Sequence, residues 1–144
     1  MDTVSLYKEC KKVRCALECA ASTGQSDLAI LSKFPLGCCG LICRVLGPLL
    51  MEKDPNGVFY FVSGQRGLQS HAWLEHNGFI IDITADQFPE VSKKVIVTKS
   101  SSFHTNFVIN NRRGSYVNQL DEFPERTIYR YLLDYLEQFE TSQK

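Results

Sequence analysis

The chain has 144 residues, a length that fits one domain over 1–144 and leaves no room for two. Hydrophobic residues make up 44% and charged residues 22%, which excludes a disordered or fibrous chain and allows a core that needs no disulfide staples. Lys plus Arg is 16 and Asp plus Glu is 16, and this balance argues against a chain built mainly to grip nucleic acid or an anionic membrane.

The first element in chain order is a helix over 4–21. Leu6, Tyr7, Cys10, Val13, Leu17 and Ala20 recur at three- and four-residue steps, and Ser22-Thr23-Gly24 ends the pattern. No apolar signal segment precedes it, and Gly does not follow Met1. A short helical turn is expected at 27–31, followed by a loop at Pro35 and Gly37. The run 34–51 is apolar enough to test as a membrane span, but Arg44, its prolines and its glycines favour a buried helix. That helix starts near Cys39, with Ile42, Val45, Leu46, Leu49 and Leu50 on one stripe. Pro48 predicts a kink or break near Gly47.

Asp54-Pro55-Asn56-Gly57 is turn chemistry, and strands are expected at 58–63, 70–76, 79–84 and 95–98, with a further one at 103–109. Asn77-Gly78 between two strand-like runs is the strongest short-range hairpin signal. A last helix opens after Phe123-Pro124, with Ile128, Leu132, Tyr135, Leu136 and Phe139 as its buried stripe. Helices, then an antiparallel sheet, then a helix make the fold class α+β.

The hairpin fixes a register. With a two-residue turn, His76 pairs with Phe79, so His71, Trp73 and Glu75 share a face with Ile80, Asp82 and Thr84. His71 and Asp82 are then diagonal neighbours, about 7–8 Å apart at the backbone, within reach of an imidazole and a carboxylate. Cys38 and Cys39 stand where a glycine-containing loop enters a helix, and the amides and dipole of a helix start favour thiolate. One of these two cysteines, a His and an Asp form the logic of nucleophile, base and orienter.

Gly37-Cys38-Cys39-Gly40 at a helix start, His71-Ala72-Trp73-Leu74-Glu75 on a strand and Asp82-Ile83-Thr84 on the next resemble the transglutaminase-like branch of the papain-like cysteine enzymes. The resemblance covers roughly residues 34–88. It implies a papain-like α+β fold, with N-terminal helices packed on an antiparallel sheet and a C-terminal helix. It also implies an enzyme, a cysteine hydrolase or acyltransferase that opens an amide or thioester bond through an acyl-thioester. Cys39 would be the nucleophile, His71 general base and then acid, and Asp82 the orienter. Cys38 is the alternative nucleophile, and Trp73 is core packing or a wall of the site. Gln25 and Gln87 are the polar candidates for a second oxyanion donor. The expected partner is a protein, peptide or small-molecule substrate, with no cofactor, no metal, no nucleic acid and no membrane.

Cysteine usage supplies the competing readings. All six lie at 10–43, too clustered for a secreted disulfide framework, so free thiols and a cytoplasmic location are expected. Cys10, Cys15, Cys19 and Cys43 are expected to fill small apolar holes. Their spacings are poor for zinc, and adjacent cysteines pair badly as a disulfide. The alternatives to an enzyme are an inactive binding module on the same scaffold and a thiol redox or metal-binding protein. His76 and His104 are expected to be exposed, Glu75 solvated near the sheet end, and Arg112-Arg113-Gly114 a solvated turn.

Overall fold

Asn77 and Gly78 both have positive φ, 50° and 78°, so the two residues between the middle strands adopt the turn that matches strand twist. His76 pairs with Phe79 and Leu74 with Ile81, the register expected from the sequence. The computed structural model describes residues 1–115 and 120–142. Around this hairpin lie α1 (Thr3–Ala21), α2 (Cys39–Lys53), β1 (Tyr60–Arg66), β2 (Gln69–His76), β3 (Phe79–Asp82), β4 (Ile96–Thr98), α3 (Ser102–Thr105), β5 (Val108–Gly114) and α4 (Glu125–Ser142). Short 3-10 turns occupy Ser26–Leu31 and Ala85–Gln87. The five strands form one antiparallel sheet in the order β4-β3-β2-β1-β5, and the fold is α+β.

Strand alternation divides β2 between two apolar layers. Ala72 and Leu74 join Leu17, Ile42, Leu46, Leu50, Ile81, Ile128 and Leu132 in the main core beneath the helices. Trp73 joins Val62, Phe88 and Phe107 on the opposite face, with Ile80 and Phe103 packed against them. Arg66 covers this second layer, its guanidinium 5.4, 5.3 and 4.9 Å from the ring centroids of Phe88, Phe103 and Phe107. Gln69 and Glu90 hold the guanidinium in place.

Several sequence expectations are corrected. α2 is continuous from Cys39 to Lys53, so Pro48 does not break it. An interior proline costs about 3 kcal/mol, but burying a single leucine contributes about 1.5–3 kcal/mol. Leu46, Leu49 and Leu50 are all buried beside it. Gly47 serves a different end: a Cβ there would lie 2.6 Å from Ser115 Oγ, so its absence admits the chain beyond β5. The segment expected as a strand over 103–109 is α3 followed by β5, and Arg112-Arg113-Gly114 lie in β5. Arg112 is an ion-pair partner of Glu75, which also accepts from Trp73 Nε1 at 3.1 Å, so Glu75 is bound at both oxygens. Cys15 and Cys19 are exposed, off the narrow apolar stripe of α1, and Phe139 is exposed near the end of α4. His76 is buried, stacked on Phe59 with Nδ1 2.8 Å from Val58 O. No helix among the described residues is long and apolar enough to cross a membrane.

A buried arginine ties α1 to the turn after β3. Arg14 donates to Ile83 O at 2.8 Å and forks onto both oxygens of Asp86 at 2.6 and 2.8 Å, with Glu18 on its Nε. Removing one partner of a buried ion pair leaves the other desolvated and unpaired. Arg14→Ala is therefore expected to destabilise the fold by about 3 kcal/mol. The midpoint of urea unfolding measures this. An unchanged midpoint would mean that the pair is surface-like.

Candidate active site

Cys39 is the first residue of α2, and the N-cap Cys38 provides no side-chain hydrogen bond to that helix start. The first-turn N–H groups are thus left to other partners. The backbone N–H groups of Gly40 and Ala72 lie near enough to the Cys39 sulfur to favour its thiolate. Ala72 belongs to β2, so the thiol sits where the helix start meets the strand carrying His71. Burial pushes the Cys39 thiol up, but the hydrogen bond and charge of His71, together with these two amides, hold it below its ordinary value.

His71 lies near the start of β2, beyond the point where β3 stops pairing with it. Its Nε2 is 2.6 Å from Asp82 Oδ2, and both side chains are buried. The diagonal contact expected from the hairpin register is therefore made. Nε2 is committed to the carboxylate, which leaves Nδ1 for the thiol, with Gln87 Nε2 also 3.3 Å from it. Burial opposes the charged imidazole, yet Asp82 and Cys39 outweigh it and raise His71 to about 9. Burial likewise disfavours the Asp82 carboxylate. Hydrogen bonds from His104 and His71 reverse this and hold it at about 2. On the other side of the carboxylate, Oδ1 accepts from Thr84 N at 2.9 Å.

The structure also separates the two neighbouring cysteines. Cys38 is buried, with its sulfur 3.3 Å from Leu36 O, and burial pushes its thiol up. It points into the loop while Cys39 meets His71, so the alternative nucleophile lacks the imidazole. Trp73 is fully buried on the face shared with the imidazoles, with its ring 5.8 Å from that of His71 and 4.9 Å from that of His104. It packs beneath the histidines as part of the second apolar layer. Of the two candidate oxyanion donors, Gln87 is at the site, its Nε2 3.3 Å from His71 Nδ1 and 3.1 Å from Thr84 O. Gln25 is exposed beside Asp27, Thr127 and Arg130, away from the site.

Sequence reasoning missed His104. It is buried, not exposed, and its Nε2 lies 2.7 Å from the same Asp82 oxygen that His71 contacts. The missed signal was local: Ser101 three residues ahead of His104 is the spacing of a helix N-cap. His71, Asp82 and His104 bring ligand-type atoms within 4.8 Å of one another. The separations of 2.6 and 2.7 Å between nitrogen and oxygen are hydrogen-bond lengths. Ligands around one metal ion, each about 2.0–2.2 Å from it, would be held farther apart. The arrangement is a hydrogen-bonded cluster.

A cleft of about 770 Å³ between α1 and β4 is lined by Tyr7, Lys11, Val97, Ser101 and Phe103, and neither Cys39 nor His71 borders it. The Cys39–His71–Asp82 cluster lies at the start of α2 instead. Set against known proteins, the chain matches no family model, no curated protein and no solved structure.

Proposed function

We propose that this chain is a papain-like cysteine hydrolase or acyltransferase acting on an amide or thioester bond. One observation carries the reading: a helix-start thiol, Cys39, interacts with an imidazole, His71, whose far nitrogen is fixed by the buried carboxylate of Asp82. Nucleophile, base and orienter are separate residues on α2, β2 and β3: the hairpin register joins His71 to Asp82, and the packing of α2 on β2 brings up Cys39.

In this reading Cys39 thiolate attacks the carbonyl carbon, and a carbon–sulfur bond forms. The Cys39 backbone N–H, at a helix start, stabilises the developing oxyanion. His71 imidazolium gives its Nδ1 proton to the departing amine or thiol as the carbon–nitrogen or carbon–sulfur bond breaks. Water or a second amine, deprotonated by the now neutral His71, then attacks the acyl-thioester and frees Cys39. Asp82 keeps the imidazole ring turned so that Nδ1 faces the sulfur.

Alkylation with iodoacetamide at about pH 6, followed by peptide mapping, tests the proposal. Cys15 and Cys19 are exposed and serve as internal references. Cys39 is expected to label on the order of tenfold or more faster than either, because His71 and the helix start favour its thiolate. His71→Ala should bring Cys39 down to the reference rate. Equal labelling of Cys39, Cys15 and Cys19 in the unaltered protein would overturn the enzyme reading.

A further inference from the structure

We infer that His104, held by Ser101, is a positioning residue of the Cys39–His71–Asp82 centre: it donates from Nε2 to Asp82 with Nδ1 unprotonated, fixing the carboxylate that aims His71. The inference rests on the proposed role of Cys39 and His71, and adds a residue that the sequence motifs do not contain.

Ser101 is the N-cap of α3, and its Oγ accepts from His104 N at 3.2 Å. The same Oγ lies 2.5 Å from His104 Nδ1. At the other end of the ring, Nε2 faces a carboxylate oxygen at 2.7 Å. An ionised carboxylate only accepts, so Nε2 carries a hydrogen. A hydrogen on Nδ1 as well would make His104 a second cation beside the His71 imidazolium. His104 has a side-chain exposure of 1% and lies against Trp73 and Phe103. Burying an extra charge there is costly. The serine hydroxyl therefore donates to Nδ1, and the ring is the neutral Nε2–H tautomer.

This tautomer has two effects on the site. Asp82 Oδ2 is pinned by His104 while Oδ1 is pinned by Thr84, so the carboxylate cannot turn. His71 is aimed from a fixed oxygen. The donated N–H also lowers the proton affinity of Asp82, so the shared hydrogen stays on His71, where the thiolate needs it.

Nitrogen-15 NMR of the unaltered protein at about pH 7 reads the tautomer directly. The expected His104 spectrum shows an imine-type Nδ1 and a protonated Nε2, and a protonated Nδ1 would overturn the inference. Two variants read the positioning role. His104→Leu is expected to slow Cys39 alkylation at pH 6 by on the order of tenfold or more, through loss of His71 alignment. His104→Gln, whose amide nitrogen can replace Nε2, should recover the rate to within about threefold. Melting curves of both variants identify the folded ones, to which the rates apply. A folded His104→Leu with an unchanged rate, or a His104→Gln as slow as His104→Leu, would overturn the positioning role. Unactivated Cys39 in the unaltered protein would instead count against the proposed function, and the NMR result would still decide the tautomer.

Discussion

Asp82→Ala is expected to be the most damaging single change in the site, lowering the unfolding free energy by about 3–5 kcal/mol. The carboxylate receives His71 Nε2, His104 Nε2 and Thr84 N, and its side chain is 1% exposed. Alanine would leave three buried donors without their acceptor. A whole domain is stable by only about 5–15 kcal/mol, so the loss is a large share of the total. Urea unfolding at pH 7 measures it. Reactivity should fall with stability, because His71 would lose both its orientation and the charge that keeps it protonated. A loss below about 1 kcal/mol would show that the two histidines find other acceptors, and that Asp82 does not organise the cluster.

The second large effect is one of pH, and it separates Cys39 from His71. His71 is raised from 6.5 to about 9, so taken alone its stabilisation is full below pH 6.5 and is lost as pH rises through about 9. Cys39 is lowered from 9.0, so taken alone its stabilisation is full above pH 9 and is lost as pH falls through its folded value. Above both pH 6.5 and the folded value of Cys39, and up to about pH 9, the folded pair holds one proton, on the imidazole. The unfolded pair also holds one, on the sulfur. No net proton is exchanged on unfolding, and this pair adds no slope to stability across that window. In Cys39→Ala the compensating thiol is gone. Stability should then fall with rising pH, by up to about 1.4 kcal/mol per unit, the value for a single proton. Urea unfolding at pH 7, 8 and 9 on both proteins distinguishes the cases. An equal slope in the two would mean that sulfur and imidazole do not share a proton. Asp82 is lowered from 3.8 to about 2, so its stabilisation is present above pH 3.8 and is lost as pH falls through about 2, in both proteins alike.

The parts of the site that the sequence revealed were those joined by a short, sterically determined connection. Asn77-Gly78 admits one turn family, the turn sets the register, and the register places His71 diagonal to Asp82. The helix start at Cys39 was legible from the apolar stripe beginning at Ile42. His104 was hidden because it reaches Asp82 from 22 residues away through a four-residue helix that period-2 patterning reads as strand. Pro48 misled because local backbone cost was visible, whereas the burial that outweighs it depends on tertiary packing. Arg14 gave no signal at all. Its partner Asp86 lies 72 residues on, and only the folded chain brings the two together.

The orientation of Cys38 bears on how the site would be damaged. A thiolate is the form of cysteine that peroxide oxidises, first to a sulfenic acid that a second thiol can capture as a disulfide. Cys38 is adjacent in sequence but turned to the Leu36 carbonyl, and Cys43 is buried in the core. Cys38 is therefore not placed as a resolving thiol, and oxidised Cys39 would depend on another thiol for rescue, without which it would pass on to the irreversible sulfinic state.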